Sequence, residues 1–147
     1  MYTQILIATD GSELADKGLE QGLQLARATG ATATIITASE PWQAVDAGQV
    51  WGGSAALLDE YRTHARETAE KILAAAAHRA TELGVSHQTR YVKDSYAAEA
   101  ILEAAKSIGA DLIVMATHGR RGLNRLLLGS QANAVITHST IPVLVVR

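Results

Sequence analysis

The 147-residue chain contains no cysteine, which excludes disulfides, thiolate metal sites and thiol nucleophiles, and leaves the redox compartment open. It has no excess of one charge: 13 Lys and Arg stand against 15 Asp and Glu, a net of −2. Nothing global therefore draws it to nucleic acid or to an anionic membrane, and any basic surface must be local. Long apolar runs are missing too. A stretch such as Leu112 to Ala116 falls far short of the roughly 20 residues that span a bilayer. Met1 to Asp10 shows no basic segment followed by an apolar one and a small-residue cleavage site, so no secretory signal is expected and the expected location is cytoplasmic.

What is present is an ordinary globular composition, 48% hydrophobic and 19% charged, too apolar for disorder throughout. A chain of this length buries roughly 70% of its unfolded surface, enough for one core. The apolar run Ile5 to Ala8 ends at Thr9-Asp10-Gly11-Ser12 and predicts a strand buried on both faces. Ser12 then caps a helix in which Leu14, Ala15, Leu19, Leu23 and Ala26 recur at helical spacing up to Gly30. Ala33 to Ala38 reads as a second strand, and Gly48, Gly52 and Gly53 mark a loop. A long helix is expected from Ala55 to Leu83, stopped by Gly84. His87 to Lys93 is polar, as an edge strand should be. Ser95 is the expected cap of a third helix ending at Gly109, Asp111 to Ala116 a fourth strand, and Ile141 to Val146 a fifth, preceded by a short helix after Gly129-Ser130. Strands alternating with helices predict a Rossmann-like α/β fold: a doubly wound five-stranded parallel sheet, order 3-2-1-4-5, with helices on both faces. Residues 1–147 show no linker, repeat or low-complexity tract, and one domain is expected.

Such a sheet binds ligands beyond the carboxyl ends of its strands, where the strand order reverses. Two loops meet that condition. After the first strand, Asp10 either accepts hydrogen bonds from a sugar or base, or shapes a turn ahead of the capped helix. After the fourth, Ala116-Thr117-His118-Gly119 is followed by nine residues and then Gly129-Ser130 at a helix start. Glycines let backbone amides approach an anion, and a helix N-terminus adds unpaired N–H groups with partial positive charge. Arg120, Arg121 and Arg125 add cations to the same segment. A phosphate is the fitting guest; a solvated face with ordinary turns is the plain alternative.

Ile5-Leu-Ile-Ala-Thr-Asp-Gly-Ser12, Gly109 to Gly119, and Gly122 to Ser130 through Ile141-Pro-Val-Leu-Val-Val146 together resemble the universal stress protein family over essentially the whole chain. The nucleotide-binding branch of that family carries G-x2-G-x9-G-[ST], matched here by Gly119, Gly129 and Ser130, with Ala116 at the first glycine position. The resemblance implies ATP as ligand, with Mg²⁺ on the phosphates as a further expectation. Asp10 would contact the ribose, Ala8, Thr9 and Ala38 would line the adenine pocket, and Gly119, Gly129, Ser130 and Gln131 would hold the triphosphate, with Arg120 beside them. Ala116 admits two outcomes. If the position requires only close approach, one methyl is accommodated by a small shift. If it requires positive φ, the strain is roughly 1 kcal/mol or more and affinity falls about tenfold. Family members without the pattern are regarded as not binding ATP, so a nucleotide-independent dimer acting through protein partners is the main alternative, and a slow ATPase the second.

Other chemistries fit less well. No lysine stands in the glycine loop for a P-loop, and Asp10-Gly11-Ser12-Glu13 is no dinucleotide fingerprint. The clustered carboxylates and late lysine of a response-regulator receiver are missing. His64 and His78 lie in the long helix without i, i+4 ligand partners and read as surface residues. His118 lies in the glycine loop with no adjacent acid and reads as a backbone stabiliser. No catalytic motif is legible, and a binding protein rather than an enzyme is expected. Trp42 and Trp51 bracket the loop after the second strand. Val143, Leu144, Val145 and Val146 would form an apolar sheet edge, which pairing with a second copy about a two-fold axis would cover; the resemblance implies the same homodimer.

Overall fold

The computed structural model describes residues 1–42, 54–120 and 128–147. Trp51, the glycines at 48, 52 and 53, Arg121 and Arg125 lie outside the described residues. Nine elements follow in order: β1 (Gln4–Ala8), α1 (Glu13–Thr29), β2 (Thr32–Ala38), α2 (Ser54–Glu82), β3 (His87–Val92), α3 (Ala97–Ile108), β4 (Leu112–Ala116), α4 (Ser130–His138) and β5 (Val143–Val146). The strands form one parallel sheet in the order β3-β2-β1-β4-β5. The expected doubly wound fold is thus present.

Alternation along β1 divides the core. Ile5 and Ile7 face α1 and α2, packing with Leu19, Leu23, Leu73 and Ala80, whereas Leu6 faces α3 and α4 with Ile101, Ala104 and Val135. Period-two alternation puts consecutive side chains on opposite faces, so a strand covered on both sides is apolar at every inner position. Complete burial of each Ile or Leu here contributes about 1.5–3 kcal/mol.

Ser12 caps α1 as expected, its hydroxyl accepting from the Ala15 amide at 3.2 Å. Gly30 ends the helix in the left-handed region at φ 73°, where a Cβ would be strained. Three local expectations need correcting. Ser95 is not the cap of α3: Tyr96 holds that position without a side-chain bond, and the Gln131 side-chain oxygen accepts from the Ala98 amide at 2.9 Å instead. Asp111 is not part of β4. Its carboxylate accepts from the Thr3 amide (2.8 Å), the Thr3 hydroxyl (2.9 Å) and the Gln4 amide (3.2 Å), tethering the start of β1 to the start of β4. Ile141 and Pro142 precede β5 rather than belonging to it.

Two glycines of α1, Gly18 and Gly22, are buried on its inner stripe. A Cβ on Gly22 would lie 2.7 Å from Ile7 Cδ1, while one on Gly18 would sit 3.5 Å from the Ala116 amide nitrogen. α1 therefore lies close to the sheet. Outside, Arg79 of α2 grips Glu20 of α1 through two bonds of 2.8 and 2.9 Å.

Candidate functional site

β1 and β4 are central neighbours, with Ile7 opposite Val114, so the loops leaving their carboxyl ends open into one crevice. In the first loop the Thr9 amide donates to the Ile36 carbonyl at 3.0 Å, continuing the β1–β2 ladder, and its hydroxyl accepts from the Gly11 amide at 3.2 Å. Asp10 follows. Its Oδ1 accepts from the Ser12 amide at 2.9 Å, an Asx turn feeding the helix cap, and its Oδ2 accepts from the Arg120 amide at 2.7 Å. The turn-shaping role is therefore present, and the same carboxylate also ties the β1 loop to the β4 loop.

In the second loop the Thr117 amide donates to the Val146 carbonyl and the Thr117 carbonyl accepts from the Gly129 amide, both at 2.9 Å. The segment thus leaves β4 and returns to the same point before starting α4. Gly129 is the N-cap of α4. Both motif glycines stand where a side chain would not fit. A Cβ on Gly119 would lie 2.6 Å from Asp10 Oδ2, and one on Gly129 would lie 2.7 Å from the Thr117 carbonyl oxygen. Gaps that small force displacement of backbone or of the carboxylate, so glycine is required by close approach. The backbone of Ala116 is not left-handed, since among the described residues Asp94 is the non-glycine with positive φ. Ala116 is a buried β4 residue paired with Val146, and positive-φ strain does not arise there.

Thr9, Asp10, Gly119, Arg120 and Gly129 come together. Ala8 and Ala38 close the neighbouring strands β1 and β2. Ser130 is exposed in the first turn of α4. Gln131 is different: its side chain serves the α3 amide of Ala98, so only its main chain faces the start of α4. His118 Nδ1 lies 3.1 Å from the Thr117 hydroxyl. His64 and His78 are exposed, but His78 does have an i+4 partner, Glu82, at 3.4 Å, contrary to expectation. No group of three metal-ligating side chains exists among the described residues, and no helix among them is long and apolar enough to cross a membrane. Partial desolvation, then the neighbouring Asp10 charge, raises the Asp16 carboxyl above its ordinary pKa.

The fold is a doubly wound α/β sheet whose β1 and β4 loops meet at its switch point. The universal stress protein family model matches residues 1–147. The chain is 34% identical over 151 residues to the universal stress protein YxiE of Bacillus subtilis, covering 100% of both. Among solved structures it is similar to hypothetical protein MJ0577, at TM-score 0.83 and 25% identity over 99% of this chain and 96% of that one. It is also similar to a universal stress protein in complex with cAMP, at TM-score 0.71 and 26% identity over 99% and 97%. The chain belongs to the universal stress protein family.

Proposed function

We propose that residues 1–147 act as one domain that binds an adenine nucleotide, ATP with Mg²⁺ on its phosphates, in the crevice between the β1 and β4 loops. The carrying observation is the pair of glycines, 119 and 129, that leave no room for a Cβ against Asp10 and Thr117, because such close-packed main chain beside a helix N-terminus suits a polyanion. In this reading Asp10 receives the ribose hydroxyls, Ala8, Thr9 and Ala38 border the base, and the amides of Gly119, Ser130 and Gln131 meet the phosphates beside Ala116, with the Arg120 side chain near them while its amide stays on Asp10. The cAMP complex of a relative supports an adenine ligand. The role is regulatory, in a stress response, without an obligatory chemical step, in a cytoplasmic homodimer joined through Val143, Leu144, Val145 and Val146 of β5. Leu144 on that edge strand is exposed, which supports pairing there.

Mass spectrometry of nucleotide released from freshly purified protein, followed by thermal shift with ATP and Mg²⁺, tests the reading. ATP at 100 times its Kd should add about 2.7 kcal/mol of stability, and Gly119→Val should remove the response. No released nucleotide and no shift would establish the nucleotide-independent alternative; an undiminished shift in Gly119→Val would reject the proposed phosphate loop.

A further inference from the structure

A second cleft, about 430 Å³, opens at the carboxyl end of the sheet, between α2 and the ends of β2 and β3. Its volume falls within the range of roughly 300–1,000 Å³ common for small-ligand sites. Arg62 and Arg66, one turn apart on α2, and Lys93 after β3 bring three cations to it; Asp59 and Asp94 bring two acids. Asp94 is committed, with Oδ2 3.3 Å from the Arg62 guanidinium. It is also the positive-φ non-glycine residue of the described structure, at 51°, a strained conformation that collects at functional sites. Among the described residues the ion pair of Arg66 is a long exposed contact of 3.8 Å to Glu70, and Lys93 has none. Ser39 Oγ and Tyr91 Oη, 2.7 Å apart and partly buried, complete the wall.

We infer that this cleft binds a small hydroxylated phosphomonoester, the chemical class of a sugar phosphate. Arg66 and Lys93 meet the phosphate, Arg62 is aligned by Asp94 at its edge, and the hydroxyls of the ligand bond to Asp59, Ser39 and Tyr91. Charge-assisted bonds to a phosphate are the strongest available to such a surface, and the acid and hydroxyl groups oppose simple inorganic anions by giving the rest of the ligand a reason to bind. None of these side chains belongs to the loops after β1 or β4, and the contact with the nucleotide reading is confined to Ser39, which follows Ala38.

Amide chemical-shift titration of the full chain with ribose 5-phosphate provides the test, with ribose and inorganic phosphate as comparisons. Shifts are expected at Ser39, Arg62, Tyr91, Lys93 and Asp94, with affinity falling as salt rises. Ribose alone should bind at least tenfold more weakly. Arg66→Glu with Lys93→Glu should weaken binding roughly tenfold or more while leaving ATP-dependent thermal shift unchanged; Arg66→Gln alone and Tyr91→Phe give smaller losses in a chain whose charge is less disturbed. Shifts confined to Asp10, Gly119 and Ser130 would assign the phosphomonoester to the nucleotide crevice and overturn the proposal. So would wild-type affinity in the charge-reversed and single variants, or no shift at millimolar ligand.

Discussion

The carboxylate of Asp10 and the backbone amide of Arg120, 110 positions apart in sequence, are joined by a hydrogen bond of 2.7 Å. With the second Asp10 bond to the Ser12 amide, this single side chain sets the spacing of the two loops in the crevice.

Asp10→Ala should therefore destabilise the protein by about 1–2 kcal/mol, the worth of two partly exposed bonds to a charged acceptor. Gly119→Ala should cost a similar amount, because its methyl would lie 2.6 Å from Asp10 Oδ2. The two effects are coupled. With Asp10 already alanine, the Gly119→Ala penalty should shrink by more than half in urea titrations; equal penalties in both backgrounds would show that the glycine is not needed to admit the carboxylate.

The two buried glycines of α1 should respond with opposite signs. At Gly22 a methyl would approach Ile7 to 2.7 Å, an overpacking cost of about 1–3 kcal/mol that exceeds the ~1 kcal/mol gained in helix propensity. At Gly18 the nearest atom would be 3.5 Å away, ordinary contact, so the propensity gain stands and alanine should be neutral or stabilising by up to ~1 kcal/mol. Ile7→Val should relieve Gly22→Ala. Denaturant midpoints of the native chain, the three single variants and the Ile7→Val/Gly22→Ala double variant decide the matter.

Acid should weaken the tether between Asp111 and the start of β1. Desolvation pushes the Asp111 carboxyl upward, but bonds from the Thr3 amide and hydroxyl and from the Gln4 amide outweigh it, and the net direction is below the ordinary aspartate range. A lowered folded pKa gives stability that is whole above the unfolded value and is lost as pH falls through the folded one. Thermal midpoints between pH 7 and pH 2 should show a steeper acid limb for the native chain than for Asp111→Asn; parallel limbs would show that the carboxylate charge contributes nothing.

Placing a cation on the open edge tests the association proposed for β5. Leu144 is 38% exposed in the single chain, and Leu144→Arg should bring two guanidinium groups together across a two-fold axis. Sedimentation should then report monomers from Leu144→Arg and dimers from the native chain. Identical masses for both would remove β5 from the interface.

Local chemistry accounts for what could be read in advance. Strands such as Ile5 to Ala8 are apolar at every position because both faces are covered, and α1 and α3 stop at Gly30 and Gly109, both left-handed in the structure. Ser12 caps α1 from three residues away. Partners distant in sequence leave no local signal. Ser95 looked like a cap, but the α3 N-terminus is satisfied by Gln131, 33 positions on. Asp111 looked like the start of a strand, although its bonds are to Thr3 and Gln4. Gly18 and Gly22 share the stripe of Ala15, Leu19 and Ala26 at helical spacing, a signal masked in the sequence because glycine reads as a breaker. The crevice was legible as two loops; the bond from Asp10 to Arg120 that joins them was not.

Pairing of β1 with β4, Ile5 against Leu112, makes the middle of the sheet the contact between the first strand and the next to last. During synthesis β1 must wait beside β2 with one edge bare until nearly the whole chain has emerged. Topologies dominated by such non-local pairings fold slowly and expose unpaired strands on the way. Any product interrupted before residue 112 keeps that edge open and lacks half of the crevice, so the crevice is completed late and by the same event that closes the sheet.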